Sequence, residues 1–167
     1  MTLWVNEIFY SIQGESLSAG RPCVFVRLTG CNLRCTYCDT RYAYEEGTMM
    51  AIADVVDRVS YFKCPLIEIT GGEPLLQEGT PSLIYKLLEN GYEVLLETNG
   101  SLDISGIDQR CIKIVDIKCP TSGESNKNDF DNIEIPKDKD AKKAGQLMEQ
   151  HILRAFNVLI DFFEGTK

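Results

Sequence analysis

Three cysteines within one short segment are the residues of this chain best suited to chemistry. Cys31, Cys35 and Cys38 follow a C-x₃-C-x₂-C spacing, and no fourth cysteine lies near them. A structural zinc site is closed by four ligands, and iron–sulfur clusters are usually held by four thiolates. Three thiolates on a four-iron cluster leave one iron without a protein ligand. The missing cysteine therefore predicts an iron that can bind a substrate or cofactor.

The alternative interpretation is a zinc site completed by a distant ligand. The only histidine, His151, lies more than a hundred positions beyond Cys38, and we predict that it is a surface or boundary residue rather than a ligand. The C-x₃-C-x₂-C spacing resembles the cluster motif of the radical S-adenosylmethionine (SAM) superfamily. That resemblance implies that the open iron chelates SAM, and that electron transfer into the sulfonium yields methionine and a 5′-deoxyadenosyl radical.

The overall composition favours one globular domain that acts on a small molecule. The chain has 167 residues, of which 44% are hydrophobic and 25% are charged, as is ordinary for a soluble domain. The net charge is −8. This acidic balance argues against nucleic-acid partners and anionic membranes, because both require a basic protein surface. We therefore expect a small-molecule substrate, no nucleic acid and no membrane.

Seven cysteines would suggest disulfides in a secreted protein. However, the N-terminus lacks a basic region followed by an apolar stretch, and no run of 18 apolar residues occurs. We therefore expect a reducing, cytoplasmic location, where clustered cysteines more often bind metal or carry out redox chemistry. The four cysteines outside the motif are predicted to be small buried hydrophobic residues: Cys23, Cys64, Cys111 and Cys119.

Apolar runs alternate with helical patterns along much of the chain. A buried strand is predicted at residues 23–28, and further strands at residues 66–69, 93–96 and 112–115. A helix is predicted over residues 49–59, because apolar side chains recur there at helical spacing. A second helix is predicted to open at Thr80-Pro81, with a capping residue and a proline, and to end at Asn90-Gly91. Residues 101–110 are too few for a further helix.

Alternation of strands and helices predicts parallel strands joined by right-handed crossovers. We expect an α/β fold, a partial and incomplete parallel β/α barrel of the radical SAM type. In such barrels the loops at the carboxyl ends of the strands carry function. Unusual segments follow all four predicted strands: the cysteine motif, residues 70–73, residues 98–100 and residues 116–118. These segments are therefore expected to converge on one rim as a single active site.

The segment Gly71-Gly72-Glu73-Pro74 follows the second predicted strand. Its glycines allow a ligand to approach the backbone closely, so its N–H and C=O groups are candidates for binding the amino group and carboxylate of SAM. Gly-Gly-Glu-Pro alone is a common loop sequence. It becomes specific here because radical SAM enzymes have a GGE motif in the same order after the cysteine motif.

Longer segments resemble one family of radical SAM enzymes. They are FYSIQGES at residues 9–16, GRP at 20–22, FVRLTGCNLRC at 25–35 and CDT at 38–40, with residues 70–74, 97–100 and 116–123. Together they closely resemble the 7-carboxy-7-deazaguanine synthases over roughly the first 135 residues. That resemblance implies a lyase of queuosine biosynthesis that contracts the ring of 6-carboxy-5,6,7,8-tetrahydropterin, releases ammonia and forms 7-carboxy-7-deazaguanine.

The resemblance also implies roles for single residues. Cys31, Cys35 and Cys38 would hold a 4Fe–4S cluster, and Thr40 would ligate a Mg²⁺ ion that also holds the substrate. The implied SAM-binding residues are Tyr37, Cys38, Asp39, Gly72, Asp116, Ile117 and Lys118. The implied substrate-binding residues are Ile12, Gln13, Gly14, Arg27 and Thr70. Cluster and SAM radical, rather than a catalytic side chain, are expected to do the chemistry.

Three of these residues also have simpler interpretations. In the simpler interpretation, Arg27 forms a salt bridge at a strand edge. In the functional one, its guanidinium is a natural bidentate partner of a carboxylate. Thr40 is a candidate for the cap of a helix or turn, and Lys118 for a solvated surface charge.

The C-terminal part of the chain departs from the family pattern. Residues 1–136 are predicted to form the radical SAM core, and residues 137–167 an amphipathic helical segment that packs on the sheet or binds a partner helix. Family members usually continue further, with strands and a segment that closes over the substrate. The other expected partners are a flavodoxin- or ferredoxin-like electron donor and a second copy of the chain in a homodimer.

Two other functions stay open from the sequence. An activating enzyme of anaerobic ribonucleotide reductase has a similar length and the same cysteine motif. The FYSIQGES segment followed by Arg27 fits the pterin enzyme better. The third possibility is a zinc or iron–sulfur binding module without catalysis, which SAM cleavage after reduction would distinguish from an enzyme.

Overall fold

The structure, a computed structural model, describes residues 1–129. These residues belong to two compact units: one contains Met1–Ser11 and residues 22–129, and the other contains Ile12–Arg21. The predicted domain boundary at residue 136, the predicted C-terminal helix and His151 all lie outside the described residues.

The first unit is built on a six-stranded sheet with the strand order β3-β1-β2-β4-β5-β6. The strands are β1 (Thr2–Ile12), β2 (Pro22–Leu28), β3 (Thr48–Ala51), β4 (Leu66–Gly71), β5 (Glu93–Thr98) and β6 (Ile112–Val115). β2, β4, β5 and β6 are parallel neighbours, whereas β3 is antiparallel to β1. Within the described residues the sheet is open, which confirms the expected partial β/α barrel and its four predicted parallel strands.

The N-terminal side of the sheet was not predicted. The helix predicted over residues 49–59 is wrong at its start, because Thr48–Ala51 form β3 and α1 spans Ile52–Ser60. Pairing with β1 overrides the helical spacing of this segment, since strand formation depends strongly on cross-strand context. The same pairing leaves Leu3 and Val5 buried on one face of β1.

The second helix, α2 (Thr80–Glu89), agrees with its predicted extent and ends at Asn90 and Gly91, whose φ is +83°. Pro81 lies in its first turn as predicted. The predicted capping role of Thr80 is wrong. Gly79 precedes the helix, and the buried Thr80 hydroxyl donates to the carbonyl oxygen of Pro74 at 2.6 Å. Thr80 thus fastens α2 to the loop after β4.

The hydrophobic core lies between one face of the sheet and both helices. It combines strand residues such as Val26 and Ile69 with helix residues such as Val55 and Leu83. Cys23, Cys64 and Cys111 are buried in it, as predicted. Among residues 1–129, no helix has the length and apolar character needed to cross a membrane.

Candidate active site

The three cysteines of the motif lie in the loop that follows β2. Cys31, Cys35 and Cys38 are all free and partly exposed. Burial raises the pKa of Cys31 and of Cys35. At Cys38, burial alone would raise the pKa, but hydrogen bonds from Tyr44 and Thr40 hold it below its usual value. One loop thus presents three unpaired thiols in distinct electrostatic surroundings.

The number, free state and shared loop of these thiols fit a cluster that takes three protein ligands. A single zinc ion would instead require its ligands to converge at about 2.3 Å from one point. Within residues 1–129, no three His, Cys, Asp or Glu side chains are gathered around one point, so the fit to a cluster rests on the donor set alone.

A segment that follows β6 braces the cysteine loop. The backbone N–H of Thr36 donates to the carbonyl oxygen of Ser122 at 2.9 Å, and the Thr36 hydroxyl donates to that of Thr121 at 2.7 Å. The backbone N–H of Arg34 donates to the Glu124 carboxylate at 2.8 Å. These bonds join the ends of β2 and β6, which are not neighbours in the sheet. The predicted convergence of the strand-end loops on one rim is therefore confirmed.

The GGE segment lies directly against the cysteine loop. The Glu73 N–H donates to the carbonyl oxygen of Gly30 at 2.7 Å. A Cβ atom on Gly72 would lie 2.3 Å from that oxygen and 2.6 Å from the Cβ of Cys31. Only glycine fits at this position without displacing Cys31. The glycines were predicted to let a ligand approach the backbone closely. In the structure, the absent side chain of Gly72 lets the cysteine loop approach it.

Glu73 has a structural role that the sequence analysis missed. Its side chain is fully buried, and its carboxylate accepts hydrogen bonds from the N–H of Leu75 at 3.0 Å, the hydroxyl of Thr98 at 2.8 Å and the N–H of Asn99 at 2.8 Å. Burial raises the pKa of Glu73, and these bonds oppose that shift. The carboxylate fastens the end of β4 to the end of β5.

A third connection runs from the cysteine loop to the end of β5. Asn32, the residue after Cys31, accepts a hydrogen bond from the side-chain amide of Asn99 at 3.0 Å. The Asn32 amide donates to the hydroxyl of Ser101 at 2.8 Å. The predicted functional segments after β2, β4, β5 and β6 therefore form one hydrogen-bonded rim.

A row of polar side chains crosses the sheet beside this rim, on the face opposite the helices. Arg27 on β2 is in register with Thr70 on β4, so both side chains lie on the same face. The Thr70 hydroxyl donates to the Glu97 carboxylate on β5 at 2.6 Å, and Arg27 Nε donates to the Glu7 carboxylate on β1 at 2.8 Å. We call Glu7, Arg27, Thr70 and Glu97 the polar row. The salt bridge from Arg27 to Glu7 is the one expected from the simpler interpretation of Arg27. Glu7 and Glu97 were not identified as site residues from the sequence.

Asp116 and Lys118 form an ion pair at the end of β6. The Lys118 side chain is only 13% exposed, so it is not the solvated charge of its simpler interpretation. Asn128 fixes its backbone through two hydrogen bonds of 2.8 Å. Burial raises the pKa of Cys35, and the Lys118 ammonium opposes that rise. A positive charge thus acts on one of the three cysteines of the motif.

Cys119 is exposed, so its prediction as a buried residue is wrong. Its sulfur lies 3.0 Å from the Thr121 hydroxyl and 3.5 Å from the Tyr37 hydroxyl. These two hydrogen bonds lower the pKa of Cys119 to about 7. Tyr37 and Ile117, both predicted to border SAM, are also exposed, as is Asp39.

Thr40 precedes a 3₁₀ turn at Arg41–Tyr44, but its side chain makes no capping hydrogen bond. Its hydroxyl lies 3.7 Å from the Cys38 sulfur instead. The capping interpretation therefore fails, and the Mg²⁺ role of Thr40 stays a prediction.

Ile12, Gln13 and Gly14 belong to the second compact unit. Within it, the Gln13 N–H donates to the Arg21 carbonyl oxygen at 2.9 Å, and the Gly20 N–H donates to that of Gln13 at 2.8 Å. Gln13 is buried, and Ile12 is 65% exposed. Their predicted contact with a substrate stays a prediction.

Comparisons with known proteins agree with this arrangement. The model of the radical SAM superfamily matches residues 25–119. The 7-carboxy-7-deazaguanine synthase of Chlorobaculum tepidum is 53% identical over 124 residues, covering 74% of this chain and 56% of that protein. The enzyme of the same name from Koribacter versatilis is 44% identical over 132 residues, covering 78% and 58%. That from Thermoplasma acidophilum is 34% identical over 141 residues, covering 83% and 68%.

A solved structure shares the fold. The crystal structure of QueE from Escherichia coli matches with a TM-score of 0.62 at 24% identity, covering 68% of this chain and 60% of that one. The chain spans only a little more than half the length of the first two synthases named above.

Proposed function

Because the chain belongs to the radical SAM superfamily and, within it, to the 7-carboxy-7-deazaguanine synthase family, we propose that it acts on 6-carboxy-5,6,7,8-tetrahydropterin. The reaction would be that of a carbon–nitrogen lyase, with ring contraction, release of ammonia and formation of 7-carboxy-7-deazaguanine for queuosine biosynthesis. The observation that carries the substrate assignment is the polar row beside the three-cysteine loop, because it offers a guanidinium and a carboxylate on one face.

Cys31, Cys35 and Cys38 would hold the 4Fe–4S cluster. When bound, the cluster and SAM supply reductive radical chemistry. The chain itself sets the positions of the three thiols through the bonds of Thr36 and Arg34 to the segment after β6. Tyr37, Cys38, Asp39, Gly72, Asp116, Ile117 and Lys118 would border SAM.

Arg27 would bind the carboxylate of the pterin. Its guanidinium is mostly shielded from solvent, with 15% of the side chain exposed. A shielded guanidinium binds a carboxylate more strongly than an exposed one, because water screens the charges less. Charge-assisted and bidentate hydrogen bonds of this kind also fix the orientation of the bound group.

Thr70 and Glu97 would orient the other end of the substrate. The Thr70 hydroxyl donates to one oxygen of Glu97, and a carboxylate has lone pairs for further donors. The N–H groups of a pterin are suitable donors. Ile12, Gln13 and Gly14 are kept as substrate contacts of the second unit.

The proposal includes further components that the family suggests. They are a Mg²⁺ ion on Thr40, a flavodoxin- or ferredoxin-like electron donor, a homodimer and a cytoplasmic location. The Thr40 hydroxyl supports the first of these, because it is free of a capping bond and Mg²⁺ prefers oxygen ligands.

The test is anaerobic incubation of the reconstituted full chain with SAM, reductant, Mg²⁺ and the carboxypterin. Mass spectrometry should detect 5′-deoxyadenosine and 7-carboxy-7-deazaguanine. Arg27→Lys should lose most of the deazaguanine product, since an ammonium cannot bind a carboxylate bidentately. Arg110→Lys, at a surface ion pair, is the matched control. Cleavage of SAM without the deazaguanine would contradict the substrate and favour a protein-activating function.

A further inference from the structure

The Arg27 guanidinium is held by three side chains, which we call the Arg27 clamp: Glu7, Phe9 and Tyr42. Nε donates to Oε1 of Glu7 at 2.8 Å. The guanidinium carbon lies 5.6 Å from the centroid of the Phe9 ring and 5.9 Å from that of Tyr42. Such cation–π contacts favour a cation near an aromatic face. One edge of the guanidinium is therefore hydrogen-bonded and the group is flanked by aromatic rings.

Each member of the clamp is itself fixed. The Tyr42 hydroxyl donates to the same Oε1 atom of Glu7 at 3.2 Å. The Phe9 ring stacks on Phe25 with centroids 5.0 Å apart and an interplanar angle of 10°. Glu7 and Phe9 are two positions apart on β1, so their side chains lie on the same face of the strand. The clamp is thus a connected unit, in which each side chain makes a second contact besides the one to Arg27.

The clamp leaves the terminal edge of the guanidinium available. The Nε atom of Arg27 is hydrogen-bonded to Glu7, whereas Nη1 and Nη2 make no hydrogen bond to any residue that the structure describes. Two parallel N–H groups in this edge match the two oxygens of a carboxylate. A free arginine side chain would lose rotamer freedom when it binds such a group, and a side chain already ordered loses less.

The position of Tyr42 connects the clamp to the cysteine loop. Tyr42 lies in the 3₁₀ turn Arg41–Tyr44, which begins three residues after Cys38. The Arg41 side chain donates back to the Thr36 carbonyl oxygen at 2.8 Å, within the cysteine motif. The same turn therefore sets both the cysteine loop and one wall of the clamp.

We infer that Glu7 is a positioning residue that, with Phe9 and Tyr42, aims the terminal edge of Arg27 at the substrate carboxylate and so sets the preference for a carboxylated pterin. This inference rests on the proposed function. Glu7 carries a negative charge of its own, which repels a second carboxylate. Its contribution to binding must therefore come from orientation of Arg27 rather than from attraction of the substrate.

The test compares two ligands and three variants. The ligands are 6-carboxy-5,6,7,8-tetrahydropterin and tetrahydropterin without the carboxyl group. Binding is measured by anaerobic calorimetry with Mg²⁺ and without reductant, so that no turnover occurs. Glu7→Ala should weaken the carboxypterin about tenfold, the scale of one hydrogen bond to a charged group, and should leave the unsubstituted pterin unchanged. Glu7→Gln should restore most of that loss, because its amide oxygen still accepts from Nε.

Glu89→Ala is the matched control. It removes a surface ion pair, in which Glu89 lies 3.0 Å from Arg110, and neither residue belongs to the clamp. It should change the affinity of neither ligand. Equal weakening of both pterins in Glu7→Ala would show a merely structural role and overturn the inference, as would wild-type preference for the carboxypterin in that variant. A wild-type protein that binds neither pterin would instead overturn the proposed substrate.

Discussion

The carboxylate of Glu73 accepts a hydrogen bond of 2.8 Å from the backbone N–H of Asn99, and this bond couples the GGE loop after β4 to the loop after β5. The Asn99 amide in turn donates to Asn32, beside the first cysteine of the motif. A buried carboxylate with three hydrogen bonds thus sets the relative positions of three strand-end loops. Within a fold whose function depends on those loops, Glu73 acts through the backbone rather than by direct chemistry.

Replacement of Glu73 should therefore cost stability. Glu73→Ala leaves the buried N–H of Asn99 and the partly buried N–H of Leu75 without their acceptor, so we expect the free energy of unfolding to fall by about 3 kcal/mol. Urea unfolding followed by circular dichroism measures this change. Glu78→Ala, on an exposed residue of the same loop, should shift the free energy by less than about 0.5 kcal/mol. Equal effects of the two variants would contradict the role of the buried carboxylate.

Gly72 tests the contact between the GGE loop and the cysteine loop. In Gly72→Ala the new methyl group would overlap the Gly30 carbonyl oxygen and the Cys31 Cβ. We expect a loss of about 3 kcal/mol in stability and poor cluster retention, measured as iron per chain after anaerobic reconstitution. Gly106→Ala is the control, because no atom lies within 4 Å of its added Cβ. A Gly72→Ala protein with normal iron content would show that the two loops can separate.

The parts of this site that follow local patterns could be predicted from the sequence. Strand-end loops after four apolar runs converge because parallel strands place their carboxyl ends at one edge. Contacts that depend on distant pairing could not be predicted. Glu7 is important only because β1 lies beside β2, and no local signal in its own strand specifies that pairing. Cys119 was assigned to the core together with the other cysteines outside the motif, whereas it is exposed and directly precedes the 3₁₀ turn Pro120–Ser122.

Cys35 distinguishes a cluster ligand from a structural cysteine. Cys35→Ala should abolish cluster retention, seen as loss of iron and of broad visible absorbance after reconstitution, because only two thiolates of the motif remain. Cys64→Ala is the matched control. Its thiol is buried in the core, so its loss should cost about 1 kcal/mol of stability with the iron content unchanged. Retention of iron in Cys35→Ala would reject the three-cysteine site.

Thr40 tests the proposed magnesium site. Thr40→Val keeps the shape of the side chain but removes the hydroxyl that lies 3.7 Å from the Cys38 sulfur. We expect normal iron content and a turnover that no longer increases with added Mg²⁺, since a methyl group cannot ligate a hard cation. Thr48→Val, on an exposed threonine of β3, should keep its response to Mg²⁺. An unchanged Mg²⁺ response in Thr40→Val would remove Thr40 from the site.

Cys119 should react with alkylating reagents at unusually low pH. Hydrogen bonds from Thr121 and Tyr37 stabilise its thiolate and lower its pKa from 9.0 to about 7. Because the thiolate is the nucleophile, the rate of carbamidomethylation should rise with pH to half its maximum near pH 7. Peptide mass spectrometry follows Cys119 alone, with the buried Cys111, whose pKa burial raises to about 12, as an internal control.

The variant Tyr37→Phe identifies the cause of that reactivity. It removes the phenol hydroxyl 3.5 Å from the Cys119 sulfur and keeps the aromatic ring. The thiolate then loses one donor, so its pKa should rise and the midpoint of the rate profile should move above pH 7. Tyr61→Phe, on a tyrosine that is 81% exposed, should leave the midpoint in place. A wild-type midpoint near pH 9, or one that Tyr37→Phe does not move, would show that these hydrogen bonds do not activate the thiol.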